Sequence, residues 1–273
     1  MLRSFQYLDI SVKDGIAHVV LDRPPVNAVN QEMYREIESL FGAIAMEDGV
    51  QAVVLSGRGK HFCGGNDLDE FMSLDSENSP ARMLEVREAF WAIYDCPVPV
   101  IAAVHGAALG TGLALAASCD FIVAADDARI GLPEVSVGVM GGAKHARRLV
   151  PEPILRWMFL SGEPAPIDLL LRLGAVLDVV PRDDLIDAAT DRARRIIRHS
   201  GVALRIGKRT LNAIEAMDLK PGYEFEQAST GLLADFADSR ASRKAVAERT
   251  EIVHATPPED LRRATEIELG ERA

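Results

Sequence analysis

A run of 24 residues, from Cys96 to Cys119, contains no Asp, Glu, Lys or Arg. On length alone, such a run could span a membrane as a single helix. Pro97 and Pro99 open it, however, and three glycines interrupt it further along. These breaks are typical of a buried strand, a loop and a buried helix in succession. We therefore predict that the run passes through the core of a globular protein and that the chain has no membrane segment.

The chain on both sides of this run alternates between strand and helix patterns. Residues 7–13 and 16–21 alternate apolar and polar side chains around Asp14-Gly15, which is a strong β-hairpin signal. The patterns that follow predict a helix at 31–46, a strand at 52–55, a helix at 85–94, a strand at 98–104, a helix at 109–117 and a strand at 121–125. This order predicts right-handed crossovers and a largely parallel sheet, and hence an α/β fold.

After Pro151 the pattern is mainly helical. Helices are predicted at 153–160, 167–173, 183–199, 202–217, 223–237, 240–248 and 259–268, with one short strand at 176–180. The sequence Lys220-Pro221-Gly222 predicts a break between two of these helices. The second half of the chain is therefore predicted to be mostly helical.

The charge balance limits the range of partners. The chain has 30 Lys and Arg against 41 Asp and Glu, a formal charge of −11, which argues against a nucleic-acid partner. A small anionic ligand stays compatible with this charge, because backbone N–H groups and one or two cations can hold a phosphate locally. Three widely spaced cysteines without a C-x-x-C pair predict reduced core thiols and a cytoplasmic protein. The six histidines lack metal-ligand spacing, so no metal site is predicted.

Two glycine-rich segments carry the chemical signal. Residues 61–68 follow the predicted strand 52–55, and residues 105–112 follow the predicted strand 98–104. Each segment places free backbone N–H groups at a helix N-terminus, where negative charge is stabilised. Either segment alone is also consistent with an ordinary strand-to-helix turn that needs glycine for space. Together, the two segments could direct N–H groups at one oxygen atom.

These two segments, with a third glycine-ended segment at 132–138, resemble the crotonase, or enoyl-CoA hydratase/isomerase, superfamily. The resemblance extends over about residues 5–249 in order and includes Leu21-Asp22-Arg23-Pro24 near the start. It implies a crotonase-like ββα spiral with a helical C-terminal region. Residues 1–200 would form the acyl-CoA-binding core, and residues 201–273 would serve in trimerisation or cover the active site. The resemblance also implies a homotrimer or a dimer of trimers and a place in fatty-acid metabolism.

The resemblance implies roles for individual residues. The carbonyl oxygen of a coenzyme A thioester would lie between the backbone N–H groups of Asn66 and Thr111. Glu134 would be the acid/base group that faces the acyl chain, and an enclosure formed by its neighbours would raise its pKa by desolvation. The enclosing neighbours are expected to be Leu132, Val135, Val137 and Met140.

Coenzyme A is expected as the carrier of the substrate, with no further cofactor. The residues at positions that match the family's contacts to coenzyme A, or to the loop around it, are Arg23, Ala28, Gly64 and Asp67. Asp67 also fits a helix cap, and we favour that role. Residues 72–80 are expected to form a polar loop over the acyl pocket.

One position departs from the resemblance. Two-glutamate hydratases carry a second glutamate where this chain has Ala114, so water addition between two carboxylates is in doubt. Double-bond isomerisation, hydration or dehydration with a borrowed group, and hydrolysis or ring opening of a β-keto thioester all stay open. A coenzyme A-binding protein without catalysis is a further alternative. The residues that could supply a second group are Asp69, Glu70, Lys144 and His145.

Two other enzyme classes fit the sequence poorly. A nicotinamide site needs G-x-G-x-x-G, but Leu115 stands at the third glycine position after Gly110 and Gly112. A serine hydrolase of the α/β type needs G-x-S-x-G, which does not occur.

Overall fold

The computed structural model describes residues 4–252, 254 and 256–267. A six-stranded sheet has the order β1-β2-β3-β4-β6-β8, and β5 and β7 form a second, two-stranded sheet. β1 and β2 are antiparallel, and every other pairing between these strands is parallel. The strands are β1 (Leu8–Lys13), β2 (Ile16–Leu21), β3 (Ala52–Gly57), β4 (Val100–Val104), β5 (Ala107–Leu109), β6 (Phe121–Ala125), β7 (Arg129–Gly131) and β8 (Asp178–Val180).

Helices follow most of the strands, and four helices end the described chain. The first six are α1 (Gln31–Ala45), α2 (Leu68–Phe71), α3 (Ser79–Tyr94), α4 (Thr111–Ser118), α5 (Ala143–Ala146) and α6 (Glu152–Ser161). The others are α7 (Ile167–Leu173), α8 (Leu185–Ile196), α9 (Gly201–Ile214), α10 (Leu219–Leu233), α11 (Ala237–Glu248) and α12 (Pro258–Glu266). Two 3-10 turns, Glu134–Val137 and Arg182–Asp184, complete the elements. This alternation confirms the predicted α/β fold with a helical C-terminal region.

The central strands of the large sheet are buried on both faces. Val53 and Leu55 of β3 point into the larger apolar cluster, which includes the buried sides of α1, α3 and α4. Ala52 and Val54 of the same strand point into the cluster on the other face, where α8 packs. A strand that is covered on both faces is apolar at every position, which accounts for the unbroken apolar run at 52–55.

The uncharged run from Cys96 to Cys119 forms β4, β5 and α4. All five residues of β4 and all eight of α4 are buried, so the prediction of a buried strand, a loop and a buried helix is confirmed. Cys63, Cys96 and Cys119 are buried free thiols, as predicted. Within the part of the chain that the structure describes, no helix is long and apolar enough to cross a membrane.

Some predicted boundaries are wrong, and each error has a local cause. The helix predicted at 109–117 begins at Thr111, because Leu109 pairs with Gly131 in the small sheet. The break predicted at 220–222 lies a few residues earlier, between the end of α9 at Ile214 and the start of α10 at Leu219. Pro221 occupies the first turn of α10, where a missing N–H costs nothing. The helix predicted from residue 85 begins at Ser79 for the same reason, with a proline in its first turn.

The C-terminal helices pack on one another and on the core. α9 begins at Gly201 after the N-cap Ser200, and Val202, Ile206, Phe236 and Ala264 form a small apolar cluster between α9 and the last helices. α12 lies in the region that the resemblance assigns to trimerisation or to covering the active site, and it packs against α9 of the same chain. Residues 268–273 lie outside the described residues. The division at residue 200 stays a prediction.

A buried lysine attaches α9 to the large sheet. Lys208 Nζ lies 2.8 Å from Asp120 Oδ2 and donates to the carbonyl oxygen of Val98 at 3.1 Å. The same Asp120 oxygen accepts a hydrogen bond from the backbone N–H of Val100 at 2.6 Å. This cluster joins the beginning of β4, the end of α4 and the C-terminal helices.

We expect Lys208→Met to lower the free energy of unfolding by about 3 kcal/mol, because it leaves the Asp120 carboxylate, whose side chain is 26% exposed, without its cation. The matched control is Lys244→Met, which removes an exposed pair with Glu248 and is expected to cost about 0.5 kcal/mol or less. Urea unfolding measures both variants. Equal unfolding midpoints for the two would contradict a structural role for Lys208.

Candidate active site

Three loops meet at one edge of the large sheet. The first follows β3, the second follows β4, and the third follows β6 and β7. β3, β4 and β6 are adjacent and parallel, so their carboxyl ends lie at the same edge, which is where α/β sheets bind ligands. The topology therefore brings Asn66, Thr111 and Glu134 into one region, although they are far apart in sequence.

Backbone hydrogen bonds join the first two loops. The N–H of Cys63 donates to the carbonyl oxygen of Ala107 at 2.9 Å, and the N–H of Leu109 donates to that of Cys63 at 3.1 Å. On its other side the first loop is bonded to the segment before α1, through Val29 N–H to Gly65 O and Asp67 N–H to Val29 O, each 2.9 Å. The first loop is therefore held from both sides.

A cavity of about 420 Å³ opens between the three loops. Its volume is in the range of small-molecule sites. Asn66, Thr111 and Glu134 line it, as do Ala28, Gly64 and Asp67. The remaining lining residues are Val26, Gly65, Leu68, Asp69, Phe71, Leu109, Gly110, Pro133, Ser136, Val137 and Val139. Three residues of α2 form one wall of the cavity. Residues 72–80, which were expected to lie over the pocket, do not line the cavity.

Two backbone N–H groups at the cavity have no acceptor within the described part of the chain. Val29 bonds to the residues on either side of Asn66, so the N–H of Asn66 itself faces away from Val29. Thr111 is the first residue of α4, and an N–H group at this position has no partner within the helix. Among the described residues, neither N–H group donates a hydrogen bond. Both N–H groups are therefore available to a ligand in the cavity.

Glu134 places a buried carboxylate in the same cavity, next to the residue before Thr111. Its exposed fraction is 8%, and within the described residues its Oε2 has no hydrogen-bond partner. A Cβ atom at Gly110, the residue before Thr111, would lie 3.0 Å from Glu134 Oε1. Burial raises the pKa of Glu134 above its ordinary value, and a hydrogen bond from its own backbone N–H lowers this pKa by a smaller amount. A carboxylate in such surroundings suits proton transfer near neutral pH.

The expected enclosure of Glu134 is wrong in detail. Leu132 is buried, but Val135, Val137 and Met140 are 43%, 57% and 72% exposed. The carboxylate is instead buried against backbone that lacks side chains, at Gly110, Gly141 and Gly142. Glu134 begins a 3-10 turn, in which residues three apart lie on the same side, so Val137 lines the cavity with Glu134, whereas Val135 and Met140 do not.

Arg23 and Asp67 hold the loops together. The Arg23 guanidinium donates to the carbonyl oxygen of Ala28 at 2.8 Å and to the carboxylate of Asp67, and Arg23 does not line the cavity. Asp67 is the N-cap of α2 and accepts from the N–H of Glu70 at 3.1 Å, so the predicted cap is confirmed. Although burial raises the pKa of Asp67, the bond from Glu70 and the cation of Arg23 lower it overall.

Ala114 does not contribute to the cavity, and its side chain is buried in α4. Among the four candidates for a second acid/base group, Asp69 lines the cavity. Glu70 accepts a hydrogen bond from the N–H of Gln31, and Lys144 lines a different cavity. His145 packs edge-on against Phe90, and burial lowers its pKa.

Two residues of the site were missed as contributors to its geometry. Tyr34 bonds to the side chains of both Asn66 and Thr111. The sequence signal for this contact was a tyrosine on the buried face of α1, because a buried phenol needs a hydrogen-bond partner. Asn27 donates from Nδ2 to the carbonyl oxygens of His61, at 2.8 Å, and of Arg58, at 2.9 Å. It thereby ties the turn after β2 to the start of the first loop.

Comparisons with known proteins place the chain among related sequences and structures. A family model described as enoyl-CoA hydratase/isomerase matches residues 11–256. A (7aS)-7a-methyl-1,5-dioxo-2,3,5,6,7,7a-hexahydro-1H-indene-carboxyl-CoA hydrolase of Rhodococcus jostii is 36% identical over 218 residues, which are 80% of this chain and 84% of the relative. A 2,3-dehydroadipyl-CoA hydratase of Escherichia coli is 33% identical over 236 residues, 85% of this chain and 91% of the relative. The crystal structure of an enoyl-CoA hydratase of Mycobacterium smegmatis superposes with a TM-score of 0.87 at 27% identity, covering 90% of this chain and 98% of that chain.

Proposed function

The chain belongs to the enoyl-CoA hydratase/isomerase family, and from this premise we propose that it converts an acyl-CoA thioester through an enolate bound by the N–H groups of Asn66 and Thr111. The observation that carries the proposal is the buried carboxylate of Glu134, unpaired among the described residues, beside Gly110 and next to one of these two N–H groups. A polar group buried without a partner costs free energy, and a reacting substrate that exchanges a proton with it gives it a function.

Glu134 moves the proton in this proposal. The thioester carbonyl oxygen accepts hydrogen bonds from the two N–H groups, which stabilise the negative charge that develops as the α-carbon loses a proton. Glu134 takes that proton and returns it at the γ-carbon in a double-bond isomerisation. In a hydration, protonated Glu134 donates its proton to the α-carbon as water adds to the β-carbon, and the proton that the water loses passes to a second base and from it, through solvent, back to Glu134. In either case each N–H donor contributes about 3 kcal/mol to the stabilisation of the transition state.

Ala114 affects which reaction is accessible. Isomerisation needs one proton carrier, and Glu134 suffices for it. Hydration also needs a group that orients water, and we propose Asp69 for this task because it is a second carboxylate that lines the cavity. Asp69→Asn is expected to reduce hydration and to leave isomerisation nearly unchanged.

Hydrolytic ring opening of a β-oxo thioester is the second candidate. Two observations favour this reaction. Ala114 stands where two-glutamate hydratases carry their second glutamate, and one relative is named as the hydrolase of a dioxo carboxyl-CoA compound. Water adds to the ring ketone, and the bond between that carbon and the α-carbon breaks. The electron pair passes to the thioester as an enolate, the ketone carbon becomes a carboxylate, and Glu134 protonates the α-carbon. The same two N–H groups therefore serve both candidate reactions.

Binding of coenzyme A and assembly belong to the same proposal. We assign Ala28, Gly64 and Asp67 to coenzyme A or its immediate loop, because all three line the cavity, and Arg23 to the support of that loop. Coenzyme A is the carrier of the substrate, and the proposal includes no further cofactor. We propose a homotrimer or a dimer of trimers in the cytoplasm. Large exposed apolar side chains on α6, α9 and α10 support assembly, among them Leu160, Leu211, Leu219 and Tyr223.

Product identification tests the proposal. The protein is incubated with 2-enoyl, 3-enoyl and cyclic β-oxo coenzyme A thioesters, and the products are identified by NMR. A shifted double bond, a 3-hydroxy thioester or an opened ring identifies the reaction. Binding of coenzyme A without turnover of any thioester would contradict the proposal and favour a family member without catalysis.

The acid limb of the pH–rate profile reports on Glu134. We expect the rate of proton abstraction to fall as the pH decreases through the pKa of Glu134, because the protonated carboxyl cannot accept a proton. Since burial raises this pKa, the limb is expected to lie above 4.5, the ordinary value. The measurement is kcat/KM against pH with a 3-enoyl thioester. A limb at or below the ordinary glutamate value would contradict the desolvated base.

A further inference from the structure

The hydroxyl group of Tyr34 lies between the side chains of the two residues whose N–H groups face the cavity. It donates to Asn66 Oδ1 at 2.5 Å and lies 3.0 Å from Thr111 Oγ1. A phenol carries one proton, so the proton on Thr111 Oγ1 is donated to Tyr34 when the tyrosine proton goes to Asn66. One hydroxyl therefore connects two loops that lie 45 residues apart, from position 66 to position 111.

Such a connection matters because each of the two N–H groups follows a glycine. Gly65 precedes Asn66 and has a φ of 124°, and Gly110 precedes Thr111 and has a φ of 55°. The carbonyl oxygens of these two peptide groups accept backbone hydrogen bonds, Gly65 O from the N–H of Val29 and Gly110 O from the N–H of Ala114, so each loop sets the direction of its own N–H group. Because glycine restricts its backbone less than any other residue does, a tether between the side chains of the two following residues further restricts how the two loops lie relative to each other.

Tyr34 is itself held rigidly. It lies in the first turn of α1, whose N-cap Asn30 accepts a hydrogen bond from the N–H of Met33 at 2.9 Å. Its ring packs edge-on against Phe90 of α3, with the ring centres 6.1 Å apart, and its exposed fraction is 3%. The hydroxyl therefore has a fixed position relative to the core.

Tyr34 has no direct chemical task in the reaction. Tyr34 does not line the cavity. Burial raises the pKa of its phenol far above the ordinary value, and the hydrogen bond with Thr111 lowers this pKa by a smaller amount. The hydroxyl thus stays protonated and acts as a hydrogen-bonding group at every working pH.

We propose that Tyr34 is a positioning residue, which fixes the separation of the Asn66 and Thr111 N–H groups by bonding to both side chains. The inference rests on the proposed function, since it concerns the geometry of the same two donors. A displacement of about 1 Å at a reacting centre can reduce a rate by about 100-fold.

Tyr34→Phe tests the inference, because it removes the hydroxyl and keeps the ring against Phe90. We expect kcat to fall by about tenfold to 100-fold, with KM within about threefold of the wild-type value. If Tyr34→Phe does not fold, Thr111→Val removes one of the two hydrogen bonds and serves the same test.

Two readouts separate positioning from a purely structural role. The first is the infrared carbonyl stretch of a bound saturated acyl-CoA labelled with ¹³C at the thioester carbon. The wild-type protein is expected to shift this band to lower frequency, and Tyr34→Phe to reduce the shift. The second is the double variant with Thr111→Pro, in which one donor is already absent. There the further loss from Tyr34→Phe is expected to be smaller than in the wild-type background.

Tyr94→Phe is the matched control. The Tyr94 hydroxyl donates to Glu215 Oε2 at 2.8 Å and joins α3 to the end of α9, and Tyr94 does not line the cavity. Its loss is expected to lower the melting temperature and to leave kcat unchanged. If Tyr34→Phe behaves like Tyr94→Phe, with an unshifted carbonyl band and wild-type kcat, the inference is overturned. An inactive wild-type protein would instead overturn the proposed function, and this inference with it.

Discussion

Glu134→Gln is expected to lower kcat by about 10² to 10⁴ while the affinity for the thioester stays nearly constant. Glutamine has almost the same shape as glutamate, so it fits against Gly110, but it cannot carry the proton between the two carbons. The loss should therefore appear in the chemical step and not in binding. Steady-state kinetics with the thioester that the wild-type protein converts, together with calorimetric binding of coenzyme A, measure the two quantities separately.

Unfolding does not account for this expected loss. Burial raises the pKa of Glu134 in the folded protein, so the folded state binds the proton more tightly than the unfolded chain does. The associated stability is fully present below the unfolded pKa and is lost as the pH rises through the folded pKa. At neutral pH the buried charge is therefore unfavourable, and Glu134→Gln is expected to be at least as stable as the wild-type protein. Wild-type kcat in this variant would rule out Glu134 as the proton carrier.

Thr111→Pro is expected to lower kcat by about 10² to 10³, because it removes one of the two N–H donors. Thr111 is the first residue of α4, and proline is well accommodated there because its missing N–H has no partner in the helix. The substitution therefore removes the donor and leaves the helical hydrogen bonds intact. Steady-state kinetics and far-ultraviolet circular dichroism measure the activity and the helix.

Thr111→Val is the control for the side chain. It keeps the backbone N–H and removes Oγ1, so its effect is limited to the lost bond with Tyr34 and is expected to be about tenfold. Equal kcat values for the proline and valine variants would contradict the role of the N–H group and would assign the whole effect to the side chain.

The strand-to-helix loops could be predicted from the sequence because their signals are local. Asp14-Gly15 indicates the hairpin, and the helix cap at Asp67 follows from a carboxylate just before the start of α2. The approach of the loops to one edge follows from the parallel order of β3, β4 and β6. The assignment of Glu134 required the resemblance to a family, because a glutamate after a proline has no distinctive local pattern.

Contacts between distant segments could not be predicted. The hydroxyl of Tyr34 meets Thr111 across 77 positions, and nothing in the spacing of α1 indicates which loop lies above it. The surroundings of Glu134 were misjudged because its carboxylate lies against Gly110, in another loop, whereas Val135 and Met140 beside it in sequence are exposed. Side chains in loops are packed by tertiary contacts, which no periodic pattern records.

Proton exchange in D₂O tests the central claim most directly, because it detects the enolate even where turnover is incomplete. The wild-type protein and Glu134→Gln are each incubated in D₂O with a panel of saturated, 2-enoyl and 3-enoyl coenzyme A thioesters, and NMR follows the α and γ protons. We expect the wild-type protein to introduce deuterium at the α or γ carbon, and Glu134→Gln to slow this exchange by at least about 100-fold. Equal exchange rates for the two proteins, or no exchange in a wild-type protein that binds coenzyme A, would contradict an enolate formed by Glu134.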